Sequence, residues 1–207
     1  MQHYQWLSER FFSNTVDGLG TVSLPAVADA VEALDGVRRR GGRVYAMGNG
    51  GSATTATHLV CDLVKTARRP TEPPLRAFAL ADNIALLTAY ANDVSYADAF
   101  VRQLTDNAEP GDAVVAISAS GRSPNIVAAL RAARRMGLVS IGMLGCGGGP
   151  AAELVDIPLV VGSDDFGVIE TAHIAIVHAF ADVLRASGPG AVGVPERVGA
   201  GATARTP

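Results

Sequence analysis

The sequence has almost no lysine: Lys65 stands alone, and the rest of its 17 basic residues are arginines. Acidic residues number 20, which leaves a formal net charge of −3 at pH 7. Nucleic-acid and membrane-surface binders carry a basic patch or stripe, so neither partner class is expected. Cysteine is also scarce. Cys61 and Cys146 are too few for a disulfide framework and suit a reducing compartment. No apolar run reaches the roughly 18 residues of a membrane span. The opening MQHYQWLSERFF lacks the basic region and apolar core of a secretory signal. These absences together predict a cytoplasmic protein. What remains is 207 residues, 48% hydrophobic, enough to bury one substantial core. A single domain over 1–187 is expected, with a Gly/Ala/Pro-rich flexible tail over 188–207.

Helical spacing marks residues 2–13 and 24–40, where Val27, Val31, Leu34 and Val37 recur on one face. Short apolar runs at 43–47, 75–80, 113–117, 139–144 and 157–161 read as strands. Helices are expected between them at 51–65, 82–90, 96–107 and 124–136. A flexible GCGGGP follows the fourth strand, and a long helix over 167–187 closes the pattern. Strands alternating with helices imply an α/β fold: a doubly wound parallel sheet covered on both faces.

Two glycine/serine turns follow strands. The first, Gly48–Ser52 (GNGGS), places Asn49, Gly50, Gly51 and Ser52 at a helix start. There, free N–H groups and the helix dipole favour an anion. No GK[ST] follows, so it is not a P-loop and no nucleotide cofactor is expected. The helix carries His58 and Asp62 at i and i+4, on one face. Such a pair serves as a base with its partner, as two metal ligands, or as a plain surface ion pair.

The second turn, SASGRS, sets the hydroxyls of Ser118, Ser120 and Ser123 around Gly121. Three hydroxyls at a strand's carboxyl end suit a phosphate monoester. Ser123 also fits the N-cap position, with Pro124 first in the helix. The last helix bears Glu170, His173 and His178 in an otherwise apolar sequence. Glu170 and His178 are eight residues apart, about 12 Å of helix. They share one site only if their side chains converge or a neighbouring subunit helps. His173, near Glu170, reads as its structural partner.

These residues resemble the sugar isomerase (SIS) domain family, most closely its phosphoheptose isomerase branch. The likeness rests on GNGGS with His58 and Asp62, AND at Ala91–Asp93, ISASGRSPN at Ile117–Asn125, and SDDFGVIETAH with the later His178. It implies a flavodoxin-like sheet and conversion of sedoheptulose 7-phosphate to a heptose 7-phosphate. It also implies a homotetramer with active sites at subunit interfaces. Carried over by position, Ser118, Ser120 and Ser123 hold the phosphate, while Asn49, Ser52 and Asp93 contact the sugar, with Gly50, Gly51 and Glu170 also counted among the substrate contacts. Asp62 is the base and His178 its acid/base partner. Zinc, in members that bind it, falls to His58, Asp62, Glu170 and His178.

The chain departs from the family at several of these positions. Asp62 is one methylene shorter than the usual glutamate, Glu170 replaces glutamine and Ala119 replaces threonine. Lys65 and Thr66 stand where an arginine is usual. Acid/base and metal chemistry survive these changes. Two other readings are a non-catalytic phosphosugar-binding regulator and an isomerase for a different ketose phosphate in specialised sugar biosynthesis.

Overall fold

A computed structural model describes residues 1–188; the expected tail, beyond Gly188, lies outside the described residues. Five parallel strands form one sheet in the order β2-β1-β3-β4-β5, with β1 Arg43–Gly48, β2 Arg76–Ala79, β3 Ala113–Ser118, β4 Val139–Leu144 and β5 Ile157–Val160. This is the flavodoxin-like order, whose switch point lies between β1 and β3. The register pairs Gly48 with Ile117 at that point. The GNGGS and SASGRS turns therefore leave neighbouring strands at the same edge.

Side chains alternate across the strands, so the sheet builds two cores. Val44, Ala46, Val115, Ile117, Ile141 and Met143 face one side. That side is covered by α2 (Leu24–Arg39), α3 (Gly51–Cys61) and α8 (Phe166–Ala186), with α1 (Gln2–Gly20) packed outside on α8. Tyr45, Met47, Val114 and Ala116 face the other, under α5 (Ala99–Asn107) and α6 (Pro124–Arg135). The remaining helices are α4 (Ile84–Asp93) and the short α7 (Gly149–Ala152).

Several expected boundaries move for identifiable reasons. α1 runs to Gly20 rather than residue 13, through the weak helix formers Ser13–Thr15 and Gly18. Gly18 is buried where a Cβ would meet Val168, so tertiary contact overrides propensity. α4 begins after Asn83, whose Oδ1 accepts from the Leu86 N–H at 3.0 Å. α8 begins after Asp165, which accepts from Gly167 and Val168 N–H. GCGGGP is an ordered 3₁₀ turn at Cys146–Gly148 leading into α7. Its Gly148 carbonyl packs against Gly121, at φ +62°, where any Cβ would collide with it.

α8 is, by length and composition, long and apolar enough to cross a membrane, contrary to the expectation that no segment would be. Half of that stretch is buried within the domain. Ile169, Ala172, Ile176, Val177 and Phe180 are its core-facing residues, so its hydropathy is that of a central core helix.

Candidate active site

The expected helix over 51–65 breaks at Asp62. α3 ends at Cys61, and Asp62–Thr66 forms a π-helical turn closed by the Ala67 N–H on the Asp62 carbonyl at 2.8 Å. Such turns inside helices recur at functional sites. Here the wider turn lets the Thr66 hydroxyl donate to Asp62 Oδ1 at 2.8 Å. That fixes one carboxylate oxygen and aims the other. Asp62 Oδ2 is buried without a hydrogen-bond partner, 3.2 Å from His178 Nδ1 and 3.5 Å from His58 Nε2. The two imidazoles meet edge to face at 4.8 Å between centroids. His58, Asp62 and His178 could hold a metal ion, since one ligand atom from each lies within 4.8 Å of the others. His58 and His178 reach solvent while Asp62 is buried.

A second group forms around the two turns. Asn49, Ser52, Ser118, Ala119, Ser120 and Ser123, with Ile117, Phe166 and Glu170, line a cavity of about 160 Å³. Ser118 Oγ accepts from the Gly121 N–H at 3.1 Å, and Ser120 Oγ from the Arg122 N–H at 3.2 Å. Ser123 sits at the N-cap of α6 but makes no capping bond, so its hydroxyl is not committed to the helix. Glu170 is the only ionisable side chain in this lining. Its carboxylate lies over Gly51, where a Cβ would strike it, at the positive end of α3. Gly50, at φ +54°, makes the preceding turn.

Glu170 therefore belongs to the cavity, and the structure does not bring it into the His58–Asp62–His178 group. The reason is axial: one helix carries Glu170 and His178 eight residues apart, about 12 Å. Asp93, at the exposed end of α4, accepts from the Asn92 side chain at 2.8 Å and does not line the cavity. His173 does not pair with Glu170; it is fully buried and neither ring nitrogen has a hydrogen-bond partner. Sequence reasoning missed Thr66 and Tyr96 as site residues. Thr66 was legible as a polar residue four after Asp62. The Tyr96 hydroxyl reaches Asn49 Oδ1 at 2.8 Å, a contact across 47 residues that no local pattern announces. A larger groove of about 680 Å³ flanks edge strand β2, but its Arg43, Arg76, Asp106 and Glu109 offset one another and it holds none of the residues above.

The family model for the SIS domain matches residues 12–145. A phosphoheptose isomerase from Geotalea daltonii is 41% identical over 172 residues, covering 82% of this chain and 88% of that protein. The structure of phosphoheptose isomerase GmhA from Neisseria gonorrhoeae is similar at a TM-score of 0.81 and 27% identity, covering 87% of this chain and 98% of that one. A phosphoheptose isomerase from Francisella tularensis gives 0.80 and 28%, covering 89% and 97%.

Proposed function

The chain belongs to the SIS domain family and, within it, to the phosphoheptose isomerases; we propose that it interconverts sedoheptulose 7-phosphate and D-glycero-D-manno-heptose 7-phosphate through an enediol. The observation that carries this reading is the Asp62 carboxylate, buried, with one oxygen held by Thr66 and the other unpartnered beside His178. A proton must move between adjacent carbons. Asp62 removes it from the carbon beside the carbonyl, and His178 shuttles protons on the oxygens. Ser118, Ser120 and Ser123 hold the phosphate in the small cavity, with Asn49 and Ser52 on the sugar. Glu170, which lines the cavity, and His178 are eight residues apart on α8, about 12 Å, so the phosphate and the reacting carbons lie toward opposite ends of an open-chain seven-carbon sugar phosphate. Anchoring the phosphate thus decides which carbon faces Asp62.

The donor set supports a metal as well. Two imidazoles and a carboxylate with an orphaned oxygen match the three protein ligands of a catalytic zinc centre. His58, Asp62 and His178 would hold the zinc, and Glu170 is not needed. Bound zinc would supply Lewis-acid polarisation of the sugar carbonyl. We further propose a homotetramer in the cytoplasm with active sites at subunit interfaces. Support comes from the exposed apolar side chains of α1, Trp6, Phe12 and Val16, and from the open, half-exposed His178.

The direct experiment incubates purified protein with sedoheptulose 7-phosphate, with and without a chelator, alongside its mass in solution. Turnover is expected, with loss on chelation and a mass near four chains. No turnover with tight sugar-phosphate binding would overturn the enzyme reading in favour of a regulator.

Glu170 supplies a separate prediction. Its charge shares a cavity with the dianionic phosphate and no cationic side chain lines that cavity. Glu170→Gln is expected to tighten inorganic phosphate about three- to tenfold, most at low salt, as measured by calorimetry.

A further inference from the structure

No cationic side chain lines the serine cavity, so its hold on a dianion rests on neutral donors and on how firmly they are aimed. A hydroxyl carries one O–H donor and two lone pairs. Ser118 Oγ accepts from the Gly121 N–H and Ser120 Oγ from the Arg122 N–H. Among the described residues neither hydroxyl donates to the protein, so each keeps its O–H for a ligand. The loop's own carbonyl oxygens work the other way, since one turned into the cavity would repel a phosphate oxygen. The Gly121 carbonyl is engaged instead by the Ala151 N–H of α7, at 3.1 Å.

That bond is part of a wider backbone contact between the loop and residues 145–151. A Cβ on Gly149 would lie 2.8 Å from the Ser120 carbonyl oxygen and 3.0 Å from that of Gly121. Both carbonyls therefore face the turn. The turn is held from its far side by the entry to α8. The Cys146 N–H donates to the Ser163 carbonyl at 3.1 Å. Gly145 packs on the Ile169 side chain, 2.5 Å from where a Cβ would sit. Cys146 is the one residue other than glycine at positive φ among the described residues, at +48°. Such a conformation persists only where the surrounding structure imposes it.

We propose that residues 145–151 brace the serine loop, with Gly149 and Ala151 as positioning residues that keep its carbonyls turned away and its hydroxyls presented to the phosphate. This rests on the serine loop being the phosphate site, as read above. Gly149 acts by the closeness its missing side chain allows, and Ala151 by its backbone N–H.

The test uses the full chain as wild type, Gly149→Ala, Pro150→Gly, Gly147→Ala and Ser120→Ala. Each protein is titrated calorimetrically with inorganic phosphate and assayed for kcat and KM with sedoheptulose 7-phosphate. Gly149→Ala drives a methyl against the two loop carbonyls. It is expected to weaken phosphate about tenfold or more and to raise KM in parallel, with kcat falling less than KM rises. Pro150→Gly introduces no clash and only frees the backbone beside the Ala151 N–H. It is expected to weaken phosphate about two- to fivefold. Gly147→Ala is the control in the same turn: its φ is +71°, but a Cβ there meets nothing within 4 Å. Phosphate affinity in that variant is expected to stay within about twofold of wild type. Ser120→Ala is expected to weaken phosphate about five- to tenfold, which locates the ligand in the loop. Unchanged affinity in Pro150→Gly and Gly149→Ala, or an equal loss in Gly147→Ala, would overturn the brace while leaving the phosphate site standing. If Gly149→Ala fails to fold, Pro150→Gly decides. Phosphate affinity unchanged by Ser120→Ala would overturn the phosphate site, and the brace with it. Melting temperatures separate the two kinds of loss: Pro150→Gly is expected to lose phosphate affinity without a matching fall in stability.

Discussion

Asp62→Asn is expected to lower kcat about 10³- to 10⁴-fold while leaving KM for the sugar phosphate within a few-fold. The substitution is nearly isosteric and keeps an oxygen for the Thr66 hydroxyl, which now donates at 2.8 Å to Oδ1. What it removes is the unpartnered Oδ2, which among the described residues is the only carboxylate oxygen facing His58 and His178. A general base contributes about 10² to 10⁴ in rate. Loss of an anionic ligand from a His–Asp–His metal set adds to the effect. The expected change is about 4 to 5.5 kcal/mol in barrier height, all of it in the chemical step. Inorganic phosphate affinity is expected to be unchanged, because the serine loop lies at the other end of the substrate. Asp62→Glu provides the contrast: it keeps the charge and adds one methylene, and is expected to retain activity within about tenfold. Near-normal turnover of the asparagine variant would remove Asp62 from the chemistry. Loss of phosphate binding would point to collapse of the site instead.

Much of this site was readable in the chain because its parts are local. GNGGS and SASGRS each sit between an apolar run and a helix, and the strand order then brings them together at β1 and β3. The alternation of apolar runs with helical spacing identified all five strands. It misplaced their ends by a residue or so, because strand limits depend on which neighbour continues the ladder. The His58/Asp62 pair was legible from its i,i+4 spacing. The π turn was not, since nothing in DLVKT distinguishes it from α-helix; the extra residue is accommodated by packing against α8 and β2. Glu170 was expected as both a substrate contact and a metal ligand; it lines the serine cavity, eight residues and about 12 Å of α8 from His178. Tyr96 was invisible because it lies between α4 and α5, while its partner Asn49 is in the β1–α3 turn, 47 residues earlier.

His173 was read as a structural partner of Glu170, and its real surroundings make it the group most sensitive to acid. It is 0% exposed on α8, with neither ring nitrogen hydrogen-bonded. Burial pushes its pKa down from 6.5 to about 4, opposed only by the nearby Leu144 backbone. The folded protein therefore holds this imidazole neutral at pH values where the unfolded chain protonates it. Stability from this group is fully present above about pH 6.5 and is lost progressively as pH falls towards 4. The depression corresponds to on the order of 3 kcal/mol across that window. His173→Leu has similar bulk and no nitrogen to desolvate. It is expected to match or exceed wild-type stability at pH 7.5, since two unpaired polar atoms leave the core. Its advantage is expected to widen by about 2 to 3 kcal/mol between pH 7 and pH 4.5. Denaturant midpoints of both proteins across that range supply the measurement. Every other titrating group is shared by the two proteins, so the difference isolates His173. A constant gap across the range would mean that the imidazole finds a proton acceptor in the folded core.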